Sequence, residues 1–453
     1  MLEQVKTLSL DKEHIPRLLF RYATPAIISM TAASLYNIAD VMFIGRGVNA
    51  LAIAGLALTL PLMNISAAFG SMIGVGASTL ISVKLGQKDM PTAEVALGNA
   101  VTLNTVIGIL YSILALIFLD PILRFFGASE LTLPYAREYM QIILMGNVIT
   151  HVYHGLNDNL RASGYPKKAM LATLTAVAIN IILDPLFIFG FGWGIRGAAI
   201  ATVLAQASAL SIVLRHYSRK DSLLHFKKGI FKIRKGMPRN IISVGLAPFL
   251  MNVVNSLVII IINRSFFKFG GDFAVGAYGI ANRMVFLFIM IMFGFNQGMQ
   301  PLVGFNYGAK QYKRVIEIFK LTLLCAFCVS VLAFIIAQIF PAAAVSLFTK
   351  DPTLARLTVE GLRIDLAVFP LVALPVVTSN FFQSIRKPGK AILLSLTRQV
   401  IFLIPSLLIL PRFFGVTGVW ASMPVSDAAS FTVAAILIVK QLKEFKKHYE
   451  ING

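Results

Sequence analysis

The chain has 453 residues, of which 57% are hydrophobic and 13% charged, with a mean hydropathy of +0.78. Soluble domains carry about 25% charged residues, so the composition excludes a soluble domain and indicates a polytopic helical membrane protein. The net charge of +21 does not point to nucleic acid, because the basic residues lie in short loops between apolar runs, as they do in membrane proteins.

The first fifteen residues include Glu3, Lys6, Asp11, Lys12, Glu13 and His14. They are too polar for the core of a signal peptide, so a short cytoplasmic surface segment is expected. Apolar runs of spanning length, about 20 residues each, then follow. Six are predicted at 16–44, 55–84, 92–119, 136–163, 167–191 and 195–217. Six more are predicted at 238–268, 274–306, 314–341, 356–385, 389–412 and 416–440. The expected fold is all-α, with twelve transmembrane helices in two pseudo-symmetric six-helix lobes around a central cleft. The lobes are placed at 1–217 and 238–453, with a basic cytoplasmic linker at 218–237.

Lys84 and Lys88 follow the second run, and Arg161, Lys167 and Lys168 the fourth. Lys310, Lys313 and Arg314 follow the eighth, and Arg386, Lys387 and Lys390 the tenth. The longest connection, 215–239, holds nine Lys and Arg residues against Asp221 alone. All these loops lie on one side, together with Lys443, Lys446 and Lys447 of the tail. The positive-inside rule makes that side cytoplasmic and puts both termini inside. The connection is expected to be a solvated linker carrying the topology signal; contact with anionic lipid headgroups is the alternative.

The halves repeat. Gly76, Gly86 and Lys88 recur as Gly298, Gly308 and Lys310, each 222 positions later, and Pro166, Lys168 and Ala169 recur as Pro388, Lys390 and Ala391 at the same offset. Pro25 faces Pro248 at 223, and Gly194 and Gly197 face Gly415 and Gly418 at 221. Each half starts on the cytoplasmic side and has six spans, so these are parallel repeats. Such halves can enclose a cavity that opens alternately to either side. Pro25 lies mid-way along the first run, where a proline removes a backbone hydrogen bond and kinks the helix. The kink either aids packing or lets ion binding bend the helix that carries Asp40.

Four acids sit well inside the runs: Asp40, Asp184, Asp365 and Asp427. A charge at mid-bilayer costs roughly 2.5–3.5 kcal/mol, and such residues usually serve a function. Tyr36 and Asn37 share a helix face with Asp40, and Asn180 lies one turn before Asp184. The direction of each span places Asp40, Asp184 and Thr202 in the outer half of the bilayer at similar depth. Carboxylates, an amide oxygen and a hydroxyl make an all-oxygen set suited to a hard cation such as Na⁺. Two neighbouring carboxylates can equally hold a proton. The halves do not share this set. Pro405 stands at the position of Asp184, while Asp365 and Asp427 stand where the first half has Ile143 and Gln206. Asp365 and Asp427 are candidates for a second polar site or for contact with a cationic substrate.

Gly190-Phe-Gly192-Trp-Gly194-Ile-Arg196-Gly197 follows a membrane helix and reads as a tight turn, not a phosphate loop. Cys325 and Cys328 lie in an apolar run and read as packing residues. No nucleophile, P-loop or metal-spaced Cys/His set is visible, so neither an enzyme nor an ATP-driven pump is expected, and no cofactor.

Leu35-Tyr36-Asn37-Ile38-Ala39-Asp40 with Gly45, Gly74-Val-Gly76, Leu85-Gly86, Arg161-Ala-Ser-Gly164 with Lys168, and Asn180-Ile-Ile-Leu-Asp184-Pro185 together resemble the multidrug and toxic compound extrusion (MATE) family. The pattern is similar to its DinF-like and MepA-like bacterial subgroups. The resemblance implies two six-helix lobes forming a V-shaped cleft, and export of cationic or amphipathic small molecules in exchange for H⁺ or Na⁺. It implies an ion-coupling site at Asp40, Asn180, Asp184 and Thr202, with Asn157 as a further polar member. In another branch the seventh span carries a coupling glutamate; here it has Asn252 and Asn255 and no acid. That leaves open whether the second half has a cation site. Substrate-cleft candidates are Tyr36, Asn37, Asn157, Asn252, Asn255, Asn282, Asp365 and Asp427. A monomer in the bacterial cytoplasmic (inner) membrane is expected. The alternatives are a flippase for a lipid-linked precursor, with Arg264 and Arg283 as its main basic residues, and a membrane-embedded scaffold.

Overall fold

The computed structural model describes residues 10, 12–349 and 351–452, and omits the side chains of residues 37, 38, 41, 50 and 448–452. Among the described residues all regular structure is helical. The first six spans are Ile15–Gly47, Ala50–Gly86, Met90–Ile117, Leu133–Ala162, Pro166–Pro185 and Gly194–Tyr217. A π-helical turn, Leu186–Gly190, extends the fifth. The seventh and eighth run together as Met237–Gly308, separated at Gly271, whose φ of 66° leaves the helical region. The ninth is Tyr312–Ile339. The eleventh begins as Pro388–Leu396 with a π-helical turn at Thr397–Leu403, and continues with the twelfth as Ile404–Asn452, broken at Gly415 (φ 56°).

Twelve spans thus occur in the expected order, but the tenth differs from expectation. The single run at 356–385 is two pieces, Pro352–Asp365 and Phe369–Ser384, bent by 52°. Pro370 has no N–H with which to continue the ladder, so the chain turns there and Asp365 becomes the end of a helix. The fourth span is as long as its neighbours but more polar, carrying Arg137, Glu138, His151, His154, Asp158 and Arg161.

The duplication extends to the backbone. Lys88 and Lys310 both hold left-handed φ values, 60° and 59°. Gly164 (97°) and Arg386 (57°), also 222 apart, do the same. Each ends a helix by turning its last amides back onto free carbonyls: Asp89 N–H donates to Lys84 and Gln311 N–H to Asn306, both at 2.9 Å. Gly76 and Gly298 are also equivalent, since each permits a close helix crossing. A Cβ on Gly76 would lie 2.1 Å from the Ile241 carbonyl oxygen, and one on Gly298 2.7 Å from the Ala23 nitrogen.

The helices group into two compact units. One contains Ile28–Phe249, and the other His14–Ile27 with the chain from Leu250 onward. The first and seventh spans each change unit part-way, after Ile27 and after Phe249, again 222 positions apart. Pro25 and Pro248 lie within two residues of these points. The first span nevertheless continues through Pro25 as one helix.

The connection 218–237 is not simply solvated, contrary to expectation. Leu223, Leu224 and Ile230 are buried. Asn99 of the third span, itself buried, donates to the Ile230 and Lys232 carbonyls at 3.1 and 3.0 Å and accepts from Arg234 N–H at 3.1 Å. Thr102 donates to the Phe231 carbonyl at 2.8 Å, and Lys227 pairs with Glu94 at 2.5 Å. Apolar side chains and carbonyls alternate with the lysines, so one edge of the segment docks on the first unit while the basic side chains face outward.

Candidate functional site

Three spans of the first unit assemble the expected set. Asp40, Asn180, Asp184 and Thr202 are all buried, at 6%, 2%, 0% and 5% exposure. Asn180 Nδ2 donates to Asp184 Oδ1 at 3.2 Å, one turn along the same helix, and to Thr202 Oγ1 at 3.4 Å on the sixth span. The Asp40 and Asp184 carboxyl groups lie within hydrogen-bonding reach of each other. Tyr36, one turn before Asp40, lies near both carboxyl groups and reaches the Thr202 hydroxyl. Pro185 cannot donate to the Ile181 carbonyl, and the π-helical turn follows it directly. Such turns recur at functional positions because they release the backbone from regular spacing.

Three oxygens of this set face no donor: Asp40 Oδ1, Asn180 Oδ1 and Asp184 Oδ2. Among the described residues no basic side chain pairs with either carboxylate. A buried carboxylate without a partner is costly, and two beside each other cost more. Unsatisfied oxygens converging in this way suit a small hard cation, or a proton shared between the carboxyl groups.

Tyr139 of the fourth span also belongs here, though the sequence reading missed it. It is buried, close to Asp40, Asp184 and Tyr36, and in reach of the Thr202 hydroxyl. Its signal was its depth, since it lies six residues into an inward-running span.

The remaining candidates lie elsewhere. The side chain of Asn37 is outside the described residues. Asn157 is buried, but its amide donates to Thr173 Oγ1 at 3.2 Å, not to the carboxylates. Asn252, Asn255 and Asn282 are exposed; Asn255 accepts from Gln399 Nε2 at 3.5 Å. Pro25 is buried.

The second unit is different. Asp427 is 2% exposed, and Arg398 Nε donates to its Oδ1 at 2.5 Å. Asp365 is near enough to both for electrostatic interaction, as Tyr278 is to Asp365 and Arg398. Arg398 was absent from the sequence analysis, which named Arg264 and Arg283 as the main basic candidates of these spans. Both of those are exposed. Arg398 sits in the π-helical turn of the eleventh span and neutralises one of the two acids proposed there for substrate contact.

Comparison with known proteins agrees with the duplication and the fold. The MatE family model matches residues 25–186 and again 247–408. The two matches are 222 positions apart. The chain is 28% identical over 430 residues to the multidrug export protein MepA of Staphylococcus haemolyticus, covering 94% of each. It is 26% identical over 434 residues to MepA of Staphylococcus aureus, covering 96% of this chain and 95% of the relative. Among solved structures, the MATE multidrug transporter DinF-BH superposes with a TM-score of 0.88 at 36% identity, over 95% of this chain and 96% of that one. An outward-facing MATE family transporter of the MOP superfamily shares the fold, with a TM-score of 0.91 at 24% identity over 97% and 98%. The repeat matched twice in register, the twelve spans and this coverage together show that the chain is a multi-pass membrane protein of the MatE family, the multidrug and toxic compound extrusion transporters.

Proposed function

We propose that this protein is a secondary antiporter that exports cationic or amphipathic small molecules in exchange for H⁺ or Na⁺ by alternating access. Asp40 and Asp184 bind the coupling ion, and Asn180 and Thr202 complete its shell. The observation that carries this reading is the buried carboxyl pair that, among the described residues, has no internal cation and three oxygens of its set facing no donor. The MepA relatives are multidrug export proteins, and DinF-BH is a multidrug transporter; neither favours the flippase. In this reading the lobes are 1–217 and 238–453, both termini are cytoplasmic, and a monomer works in the inner membrane.

The exchange is driven as follows. A cation crossing 100 mV releases about 2.3 kcal/mol per charge, to which its concentration gradient adds. The ion moves the transport equilibrium only if it binds one state more tightly than the other. A neutral amide in place of either carboxylate removes the charge that the ion compensates. Asp40→Asn and Asp184→Asn should therefore abolish efflux of a fluorescent organic cation from vesicles under imposed pH or Na⁺ gradients, while the protein stays folded. Undiminished efflux from either variant would overturn the proposal.

A further inference from the structure

We propose that the second half contains a cation site of its own whose occupant is built in: the Arg398 guanidinium pairs with Asp427 beside Asp365, where the first half takes a mobile cation. This rests on the coupling reading above. Each half brings one pair of aspartates near each other within its spans. In the first, Asp40 and Asp184 lie together, and among the described residues neither has a basic partner. In the second, Arg398 reaches Asp427 at 2.5 Å, and Asp365 lies in the field of both. The repeat puts Ala176 or Val177 where Arg398 stands, at offsets of 222 or 221, so the first half has nothing comparable. The π-helical turn Thr397–Leu403 carries the arginine, and a turn of that kind shifts a side chain off the regular helical face. Two carboxylates against one guanidinium would hold a fixed cation firmly. A guanidinium on a covalent stem cannot leave, so this half exchanges no ion, and only the first half couples transport to a gradient.

Removing one member of a buried ion pair leaves the other uncompensated, whereas removing both does not. An Arg398→Ala variant should therefore open a vacant site for a mobile monovalent cation, and free guanidinium matches its shape. The two tryptophans allow each half to be read separately. Trp420 meets Phe266 edge-to-face at 4.7 Å and Tyr278 at a tilt at 6.0 Å. Gly361, one turn before Asp365, lies under its ring. Trp193 belongs to the first unit.

The test uses full-length protein in a Trp193→Phe background, titrated with guanidinium chloride or NaCl at constant ionic strength while Trp420 fluorescence is followed. The unaltered cluster should not respond. Arg398→Ala should show a saturable response at least about tenfold tighter than any seen in Arg398→Ala/Asp427→Asn, and Arg398→Lys should stay silent. A silent Arg398→Ala, or an equal response in the double variant, overturns the proposal, as does a saturable response of the unaltered cluster. If Arg398→Ala fails to fold, yield and thermal midpoint replace fluorescence. Recovery by millimolar guanidinium supports the site, and no recovery overturns it. The result is separable from the coupling reading, which fails only if Asp40→Asn or Asp184→Asn still exports.

Discussion

Arg398 donates to Asp427 at 2.5 Å, and among the described residues no such cation stands beside Asp184. The two halves have the same helical plan and carry opposite solutions to the same cost, that of a carboxylate inside a membrane protein. One is neutralised from within. In the proposed reading the other is neutralised by the coupling ion, H⁺ or Na⁺.

If Asp40 and Asp184 act as a unit, their losses should not add. Asp40→Asn/Asp184→Asn is expected to be no more defective than either single variant in proton- or Na⁺-driven efflux. Two partial defects that multiply in the double variant would show two separate roles.

Thr202 offers its hydroxyl to Asn180, Tyr36 and Tyr139. Thr202→Val keeps the shape and removes that oxygen, leaving a polar network short of one partner at a cost of about 1–3 kcal/mol. The concentration of coupling ion giving half-maximal efflux should rise by about tenfold, and Thr202→Ser should restore it. Equal behaviour of Val and Ser variants would remove Thr202 from the shell.

Asn99 makes three hydrogen bonds to the backbone of the connection between the halves. Asn99→Ala leaves those groups without their partner and costs the docked segment about 1 kcal/mol per bond lost. Limited trypsin digestion should then cut at Lys227 to Lys235 about ten times faster than in the unaltered protein, with the spans intact. Unchanged cleavage would mean that the buried Leu223, Leu224 and Ile230 hold the segment alone.

Lys88 and Lys310 keep left-handed backbone with side chains exposed, a conformation that costs an L-residue about 1–2 kcal/mol and glycine almost nothing. Lys88→Gly and Lys310→Gly should each raise the thermal midpoint, and the two gains should add because the sites are independent. A fall in either would show that the lysine side chain matters more than its backbone.

Asp89 caps the third span by accepting from Thr92 N–H at 3.2 Å. A hydrogen bond from the Thr92 side chain, ahead of Lys84 and of the Thr92 backbone amide, holds its carboxyl below the usual carboxylate range against the opposing effect of desolvation. A depressed folded-state pKa gives stability that is present above the ordinary value of about 4 and lost as pH falls through the folded-state value. The difference in melting midpoint between the unaltered protein and Asp89→Ala should therefore be constant near neutrality and shrink below about pH 4. A pH-independent difference would exclude the charged cap.

Much of the architecture was readable because it is local or periodic. Apolar length marked the spans, and a recurring offset marked the duplication. The pairing of Asn180 with Asp184 followed from helical spacing alone. The break in the tenth span was less readable, since Pro370 signals a break but not its direction. Tyr139 and Arg398 escaped because each acts on residues of other helices. A lone arginine in an apolar run shows that something must neutralise it, not which acid does.

By itself, then, the sequence determined the class, the span order, the repeat and three of the buried acids, Asp40, Asp184 and Asp427, because hydropathy and turn periodicity are properties of consecutive residues. Only the tertiary structure decided which acids meet and which are already paired, because a charge inside a bilayer protein is stabilised by neighbours from other helices. Helix packing thus set Asp40 against Asp184 with one oxygen of each facing no donor, and gave Asp427 to Arg398.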